Sequence, residues 1–193
     1  MASAESIRQP RIDQAHVWLA RLDDRFDVGI LSAAERERAA RISRPQAALR
    51  WAASRATLRE ILARYVAQPP QEIALEPLGP QPPLEELHVG VSHSGDLMTV
   101  ALAGIAVAID LELDREINEP GRLAARLGPD AEQVLAVADP AEQGAAFLRA
   151  WTRHEARLKL GEPNPWIREF RFVGAAATLA AAMPLKVQLF DYA

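Results

Sequence analysis

The hydrophobic pattern of this chain predicts a mixture of strands and helices, and the clearest strand lies in the middle. Over residues 105–114, apolar side chains alternate with small or acidic ones, which is the two-residue period of a strand with one apolar face. Shorter patterns predict strands at 16–22, 87–91, 97–103, 170–173 and 186–190, with a possible strand at 73–75. An alanine-rich segment, 175–183, is expected to divide the last two strands.

Two long helices are predicted from apolar residues spaced three and four apart. The first begins near Pro45, since proline suits the first helical turn, and it has a stripe at Leu58, Ile61, Leu62 and Tyr65. The second covers residues 147–161, ends at Gly161, and has a stripe at Phe147, Leu148, Trp151 and Leu158. Ser32 and Glu35 have the spacing of a capping box, which predicts a shorter helix before Pro45.

Two acidic residues, Asp110 and Glu112, lie on the polar face of the central strand. Because residues two apart share one face of a strand, their carboxylates are expected to lie side by side and to repel each other unless a cation or solvent separates them. Such a pair suits a hard metal ion. The alternative is a strand end that emerges into water, where both acids are solvated.

Glu155 falls within the apolar stripe of the second long helix, four residues after Trp151 and three before Leu158. Its carboxylate is expected to point toward the protein, where an unpaired charge is costly. Lys159 follows one turn later on the same side, in a chain that otherwise uses arginine for almost all of its positive charge. The two residues either form an ordinary ion pair along the helix or bring an ammonium and a carboxylate to a functional site.

Composition limits the possible functions. The chain has 193 residues, 49% of them hydrophobic, which is enough for one domain or two small packed halves. The formal net charge of −4 argues against general binding of nucleic acid, and the absence of cysteine excludes disulfides and thiolate chemistry. The N-terminal segment has no apolar signal core, and the longest apolar run, 97–109, is too short to span a bilayer. A cytoplasmic protein without a membrane partner is expected.

Positive charge is concentrated between residues 36 and 64. Eight arginines stand there against Glu37 and Glu60: Arg36, Arg38, Arg41, Arg44, Arg50, Arg55, Arg59 and Arg64. A local positive surface on an acidic protein suggests a small polyanionic ligand rather than a long nucleic acid. Alternatively, these arginines cover the solvated faces of two helices.

Three short motifs resemble, in order and spacing, the signature motifs of the Sfp-type 4'-phosphopantetheinyl transferases. They are Ser92-His93-Ser94, the segment Ala-Ile-Asp-Leu-Glu at 108–112, and the segment Trp-Thr-Arg-His-Glu-Ala-Arg-Leu-Lys at 151–159. The family has Ser-His-Ser, then Gly-Ile-Asp-Ile-Glu, then Trp-x-x-Lys-Glu-Ala-x-x-Lys. Each motif alone is weak, whereas the three in sequence are specific.

The resemblance implies an α+β fold in which two similar α/β halves, 1–104 and 105–193, pack as a pseudo-dimer with the ligand site between them. Since one chain carries both halves, a monomer is expected. The implied activity is the Mg2+-dependent transfer of the phosphopantetheine arm of coenzyme A to a serine of an acyl or peptidyl carrier protein. Such an enzyme needs no nucleophile of its own, which agrees with the absence of a nucleophile motif.

The resemblance also implies roles for individual residues. Asp110, Glu112 and Glu155 would hold Mg2+, Lys159 would neutralise a phosphate oxygen, and Glu155 would take the serine proton. Asp110, Glu155 and Lys159 would thus be the catalytic residues. The implied contacts to coenzyme A are Arg38, Arg50, Ser92, His93 and Lys159.

Some residues depart from the family pattern. Ala108 replaces a glycine, His154 replaces a lysine, and Glu35 stands where a basic residue is often found. The family usually has Gly-Lys-Pro in a loop where this chain has Gly-Pro-Gln-Pro at 79–82, so the lysine of that loop is missing. These departures keep two other functions open. One is a relative that binds coenzyme A or a carrier protein without transferring anything. The other is a metal-dependent enzyme that hydrolyses a nucleotide or pyrophosphate.

Overall fold

The computed structural model describes residues 7–23, 25–76, 81, 83–84, 86–162 and 164–192. Its elements confirm the α+β class expected from the sequence. The strands are β1 (Gln14–Arg21), β2 (His88–Ser94), β3 (Leu97–Ala103), β4 (Val107–Leu113), β5 (Trp166–Phe172), β6 (Ala175–Ala181) and β7 (Lys186–Tyr192). The helices are α1 (Ala33–Ala40), α2 (Pro45–Leu62), α3 (Pro120–Leu127), α4 (Pro129–Ala136) and α5 (Gln143–Leu160), with 3-10 turns at Val28–Ile30, Pro70–Glu72 and Pro140–Glu142.

The first sheet has the strand order β2-β3-β1-β7. β3 is antiparallel to both β1 and β2, whereas β7 runs parallel to β1. Phe190 of β7 stacks on Trp18 of β1, with 4.6 Å between the ring centroids. The last strand of the chain therefore belongs to the sheet formed by residues of the first half.

The second sheet has the order β4-β6-β5, and its central strand is the alanine-rich segment. The expectation that the alanine-rich segment divides two strands was wrong, since it forms a strand itself although alanine is a poor strand former. β6 is buried along its whole length, with Thr178 facing α5 and Leu179 facing the first sheet. Since small side chains let layers approach on both faces, burial rather than propensity determines this strand.

The two sheets pack against each other, and helices cover their outer faces. α2 lies on the first sheet, where Leu58, Ile61 and Leu62 pack against Trp18 and neighbouring strand residues. Between the sheets lies a core that includes Val17 and Ile109, from strands of different sheets. α5 covers the second sheet and is itself flanked by α3 and α4.

The sheets meet where β2 approaches β4. A side chain added at Gly90 would lie 3.2 Å from the carbonyl oxygen of Val107 and 3.3 Å from Cα of Ala108, so the two backbones are almost in contact. β4 uses its other edge to pair with β6. Glycine at this position allows the close approach, and the acidic residues of β4 are thereby brought beside the Ser-His-Ser motif of β2.

The proline-rich connection after α2 contains no strand in its described part. The possible strand at 73–75 is not formed, and Ile73 is instead buried in the core under α2. The segment without the family's lysine, 79–82, lies outside the described residues except for Gln81. Among the helices that the structure describes, none is both long and apolar enough to cross a bilayer.

Candidate functional site

Residues from all three sequence motifs meet where β2, β4 and α5 come together. Nζ of Lys159 lies 2.6 Å from Oδ1 of Asp110 and 3.3 Å from Oγ of Ser92. The Ser92 hydroxyl in turn donates to Oδ1 of Asp110 over 3.0 Å. These three residues are separated by 18 to 67 positions in the chain and form one hydrogen-bonded cluster.

Asp110 is almost fully buried, and its environment makes its ionisation costly. Burial is the largest effect and raises the pKa of this carboxyl, and the negative charge of Glu112 raises it further. The hydrogen bonds from Lys159 and Ser92 lower the pKa, but by less, so the net pKa is raised. Its second oxygen, Oδ2, is buried and has no hydrogen-bond partner in the described structure. A buried acceptor left open in this way is suited to a cation or a donor from a ligand.

Glu112 lies two residues further along the same face and is also engaged. Its Oε2 accepts from the Ser94 hydroxyl over 3.1 Å and from Nη1 of Arg115 over 2.6 Å. Ser94 was part of the sequence motif but received no role from it. Arg115 was not predicted, because a residue in a loop after a strand has no periodicity to mark it.

Glu155 is half-buried on α5, and its side chain forms no hydrogen bond or ion pair with any described residue. The ordinary helix pair between Glu155 and Lys159 is not formed, since Lys159 turns to Asp110 instead. The stripe prediction was wrong for Leu158, which is 63% exposed. α5 instead faces the second sheet through Thr152, whose hydroxyl bonds that of Thr178 at 2.8 Å.

Three carboxylates are a suitable donor set for Mg2+, which prefers hard oxygen ligands, and the open Oδ2 of Asp110 fits that role. Asp110 and Glu112 are neighbours on one strand face, as predicted. Within the described ranges, however, no three Asp, Glu or His side chains converge as they would around a single ion. Lys159 and Arg115 hold the carboxylates of β4 in the arrangement seen here.

His93 and Arg50 form the part of the site that faces solvent. The His93 ring is exposed on the side of β2 opposite to Ser92. Neighbouring groups still displace part of the water around this ring, which lowers the pKa of His93, and the charges of Lys159 and Arg50 lower it further, so Arg50 lies within electrostatic range of the motif. Arg50 also lines a cavity of about 550 Å3, together with Arg21, Gln46 and Asp96.

The predicted basic surface is smaller than the eight arginines suggested. Glu35 is 0% exposed and lies between Arg55 and Arg59, with 2.7 Å to Nε of each. This finding corrects the expectation that Arg55 and Arg59 carry charge on the surface: a buried acid needs partners, and these two arginines supply them. Arg38, on α1, is half-buried, and its Nε has no partner in the described structure.

Arg64 is also occupied, because its guanidinium lies over the rings of Trp18 and Tyr192. Arg36 donates to the carbonyl of Leu31, and Arg41 pairs with Glu37. Apart from Arg64, the arginines of this set whose side chains form no hydrogen bond or ion pair with any described residue are Arg38, Arg44 and Arg50. Two of these three are the residues that the family resemblance assigned to coenzyme A.

His154 lies away from this cluster. It lines a separate cavity of about 270 Å3 between α4 and α5, with Arg153 and Arg157. Both arginines are already paired, Arg153 with Glu169 and Arg157 with Asp130. The departure from the family at His154 therefore leaves the contacts of Asp110 and Lys159 unchanged.

The arrangement offers the ammonium of Lys159 beside a buried carboxylate, and Glu155 lies one helical turn before Lys159 with a side chain that has no partner among the described residues. No family model matches this chain, and the comparison with curated proteins finds no significant match. Support for a function therefore comes from the residues of the site.

Proposed function

We propose that this chain is a Mg2+-dependent 4'-phosphopantetheinyl transferase that modifies a serine of an acyl or peptidyl carrier protein. The observation that carries the proposal is the cluster of Ser92, Asp110 and Lys159, because each residue comes from a different one of the three motifs. Motifs that matched the family by chance would have no reason to meet at hydrogen-bond distance. The neighbouring residues fit the same reaction.

The reaction joins the serine oxygen of the carrier to the β-phosphorus of coenzyme A. The bond from that phosphorus to the bridging oxygen breaks, and adenosine 3',5'-bisphosphate leaves with the electron pair. Glu155 accepts the serine proton, since its carboxylate has no partner among the described residues. Lys159 places positive charge next to the phosphates as negative charge moves to the leaving group.

Magnesium, when bound, would neutralise the pyrophosphate. Asp110 and Glu112, neighbours on one strand face, would hold it, and Glu155 would have to move to join them, because three such side chains do not converge within the described residues. Oδ2 of Asp110 is the oxygen that supports this assignment, because it is buried and has no partner. Lys159 and Arg115 pair with the two carboxylates of β4, and a bound cation would compete with both for these acids.

Coenzyme A also brings a 3'-phosphate, and the eight arginines of residues 36–64 offer few unpaired groups for it. Arg50 faces solvent within electrostatic range of His93, and Arg38 has a guanidinium nitrogen without a partner in the described structure. Arginine suits this task because its guanidinium donates to two phosphate oxygens at once. We assign the 3'-phosphate to these two residues and the pyrophosphate side to His93 and Lys159.

The intact mass of several purified apo carrier proteins tests the proposal, after incubation with this protein, coenzyme A and Mg2+. We expect a gain of one phosphopantetheine group that disappears without Mg2+ and with Asp110→Asn. The matched control is Asp114→Asn, a few residues along the chain, whose acid pairs with Arg171 outside the cluster. Transfer that persists at wild-type rate in Asp110→Asn would refute the site.

A second candidate is a relative that binds coenzyme A or a carrier protein without transfer. The observation that favours it is the occupied state of two predicted metal ligands, Asp110 by Lys159 and Glu112 by Arg115. Calorimetry separates the candidates: coenzyme A binding that is unchanged by Mg2+ and by Glu155→Ala, with no carrier modified, would favour the binding protein.

A further inference from the structure

We infer that Ser92 and Ser94 are positioning residues, whose hydroxyls hold the two carboxylates and two backbone amides of β4 in place. This inference rests on the proposed function in one respect, namely that Asp110 and Glu112 are the carboxylates that hold the cation. The hydrogen bonds themselves do not depend on it.

Two strand edges face each other at this junction, and side chains join them. Oγ of Ser92 accepts from the Leu111 amide and Oγ of Ser94 accepts from the Leu113 amide, each over 3.2 Å. The same hydroxyls donate to Asp110 and to Glu112. Each serine thus binds one amide and one carboxylate of β4, and the pattern repeats after two residues, which is the period of both strands.

The Ser92 hydroxyl has no capacity left for a ligand. A hydroxyl has one hydrogen to donate and two lone pairs to accept with. Ser92 donates to Asp110 and accepts from Leu111 and from Lys159. A phosphate oxygen would need the hydrogen that Asp110 already holds. Ser92 therefore orients Asp110, and the ligand is left to His93, whose side chain lies on the other side of the strand.

Ser94 does the same for Glu112 at a less buried position. Without its hydroxyl, the Glu112 carboxylate would keep only Arg115, whose flexible and exposed side chain allows several orientations. The Leu113 amide would lose its acceptor at the same time. Both lost hydrogen bonds would be contacts to β4, the strand that carries the acidic residues, so the orientation of Glu112 is expected to depend on Ser94.

The test uses Ser94→Ala, with Ser94→Thr as the variant that keeps the hydroxyl, and two measurements. Amide hydrogen exchange by NMR should show Leu113 exchanging about tenfold faster in Ser94→Ala, with protection restored by threonine. Binding of Mn2+ to the protein alone, followed by electron paramagnetic resonance, should weaken about tenfold in Ser94→Ala and recover in Ser94→Thr. The control is Thr99→Val, which removes another buried hydroxyl from the first sheet, one that donates to the Trp18 carbonyl, and should leave Mn2+ affinity unchanged.

The outcomes separate the two proposals. Unchanged exchange at Leu113 in Ser94→Ala would overturn the inference. Faster exchange with unchanged Mn2+ affinity would overturn the positioning role. Wild-type protein that binds no Mn2+, with faster exchange in the variant, would leave the serine contacts standing and refute the metal site of the proposed function.

Discussion

Replacing Glu35 by glutamine should destabilise the protein far more than the same change at a neighbouring surface acid. Glu35 is 0% exposed, and its two oxygens accept from Nε of Arg55 and of Arg59 at 2.7 Å each. The same carboxylate also accepts from the Ser32 amide, which completes the capping box of α1. Glutamine keeps the size of the side chain and removes its charge.

The expected loss in the free energy of unfolding follows from the arginine that remains buried in the variant. Arg59 is 1% exposed and cannot reach water, so Glu35→Gln leaves a buried guanidinium without its counter-charge. Removing one partner of a buried ion pair typically costs about 3–5 kcal/mol. Arg59 keeps its bonds to the carbonyls of Pro70 and Ile73, and glutamine keeps one acceptor oxygen, so we expect about 3 kcal/mol.

Urea unfolding at pH 7 measures this free energy, and Glu37→Gln is the matched control on the same helix. Glu37 and Arg41 form a pair in which both side chains are 66% exposed, and such helix pairs are worth about 0.3–0.5 kcal/mol. A loss below about 1 kcal/mol in Glu35→Gln, or a loss equal to that of Glu37→Gln, would show that Glu35, Arg55 and Arg59 do not form a buried charged cluster.

The stability of the protein in acid should depend on the same three residues, Glu35, Arg55 and Arg59. Burial on its own would raise the pKa of Glu35, but the hydrogen bonds from Arg59, from the Ser32 amide and from Arg55 outweigh it, and the net pKa is lowered. Because the pKa of Glu35 is lower in the folded state, the ionised carboxylate contributes its full stability at pH values above its pKa in the unfolded chain, about 4.3. That contribution is lost as the pH falls through the pKa of Glu35 in the folded state. The wild type should therefore lose more stability than Glu35→Gln below about pH 4.3.

Three further predictions concern the site and the sheet junction. Lys159→Met should reduce transfer by about a hundredfold or more, because it removes positive charge from beside the phosphates; a rate near wild type in the carrier mass assay would contradict this. Gly90→Ala should lower the free energy of unfolding by about 1–3 kcal/mol, since the new methyl group meets the backbone of Val107 and Ala108 at 3.2–3.3 Å. Urea unfolding checks this prediction, and an unchanged urea midpoint would show that β2 and β4 can move apart. Arg50→Gln should weaken coenzyme A binding about tenfold in calorimetry without changing the melting temperature, whereas equal binding would remove Arg50 from the site.

Local signals in the sequence predicted several elements well. The spacing of Ser32 and Glu35 predicted the capping box that begins α1, and Pro45 is the first residue of α2. Gly161 ends α5 in the left-handed conformation, at φ 76°. Capping and turn chemistry depend on a few adjacent residues, so these features are visible without tertiary information.

Features that depend on distant contacts could not be predicted in this way. β6 is a strand because layers bury it on both faces, although its alanines disfavour a strand. β7 crosses to the first sheet, which is decided by pairing with β1 rather than by its own sequence. Leu158 fits a three-to-four spacing but points to solvent, because α5 packs through the smaller Thr152.

The candidate site was predictable as a set of residues but not as a network. The motifs identified Ser92, Asp110 and Lys159, and the structure brings these three together. The pairing of Lys159 with Asp110 instead of Glu155 depends on the angle between α5 and β4, which no spacing rule gives. The roles of Glu35 and Arg59 were hidden for the same reason, since only the fold shows that they are buried against each other.

The central claim is that the site transfers an arm to a carrier protein, and the release of adenosine 3',5'-bisphosphate tests it most directly. Release would be measured by chromatography with coenzyme A and Mg2+, with and without apo carrier, alongside the modified carrier itself. We predict release only when the carrier is present, one molecule for each carrier modified, and none with Asp110→Asn. Release without a carrier would indicate hydrolysis, and no release with any carrier would contradict the transferase.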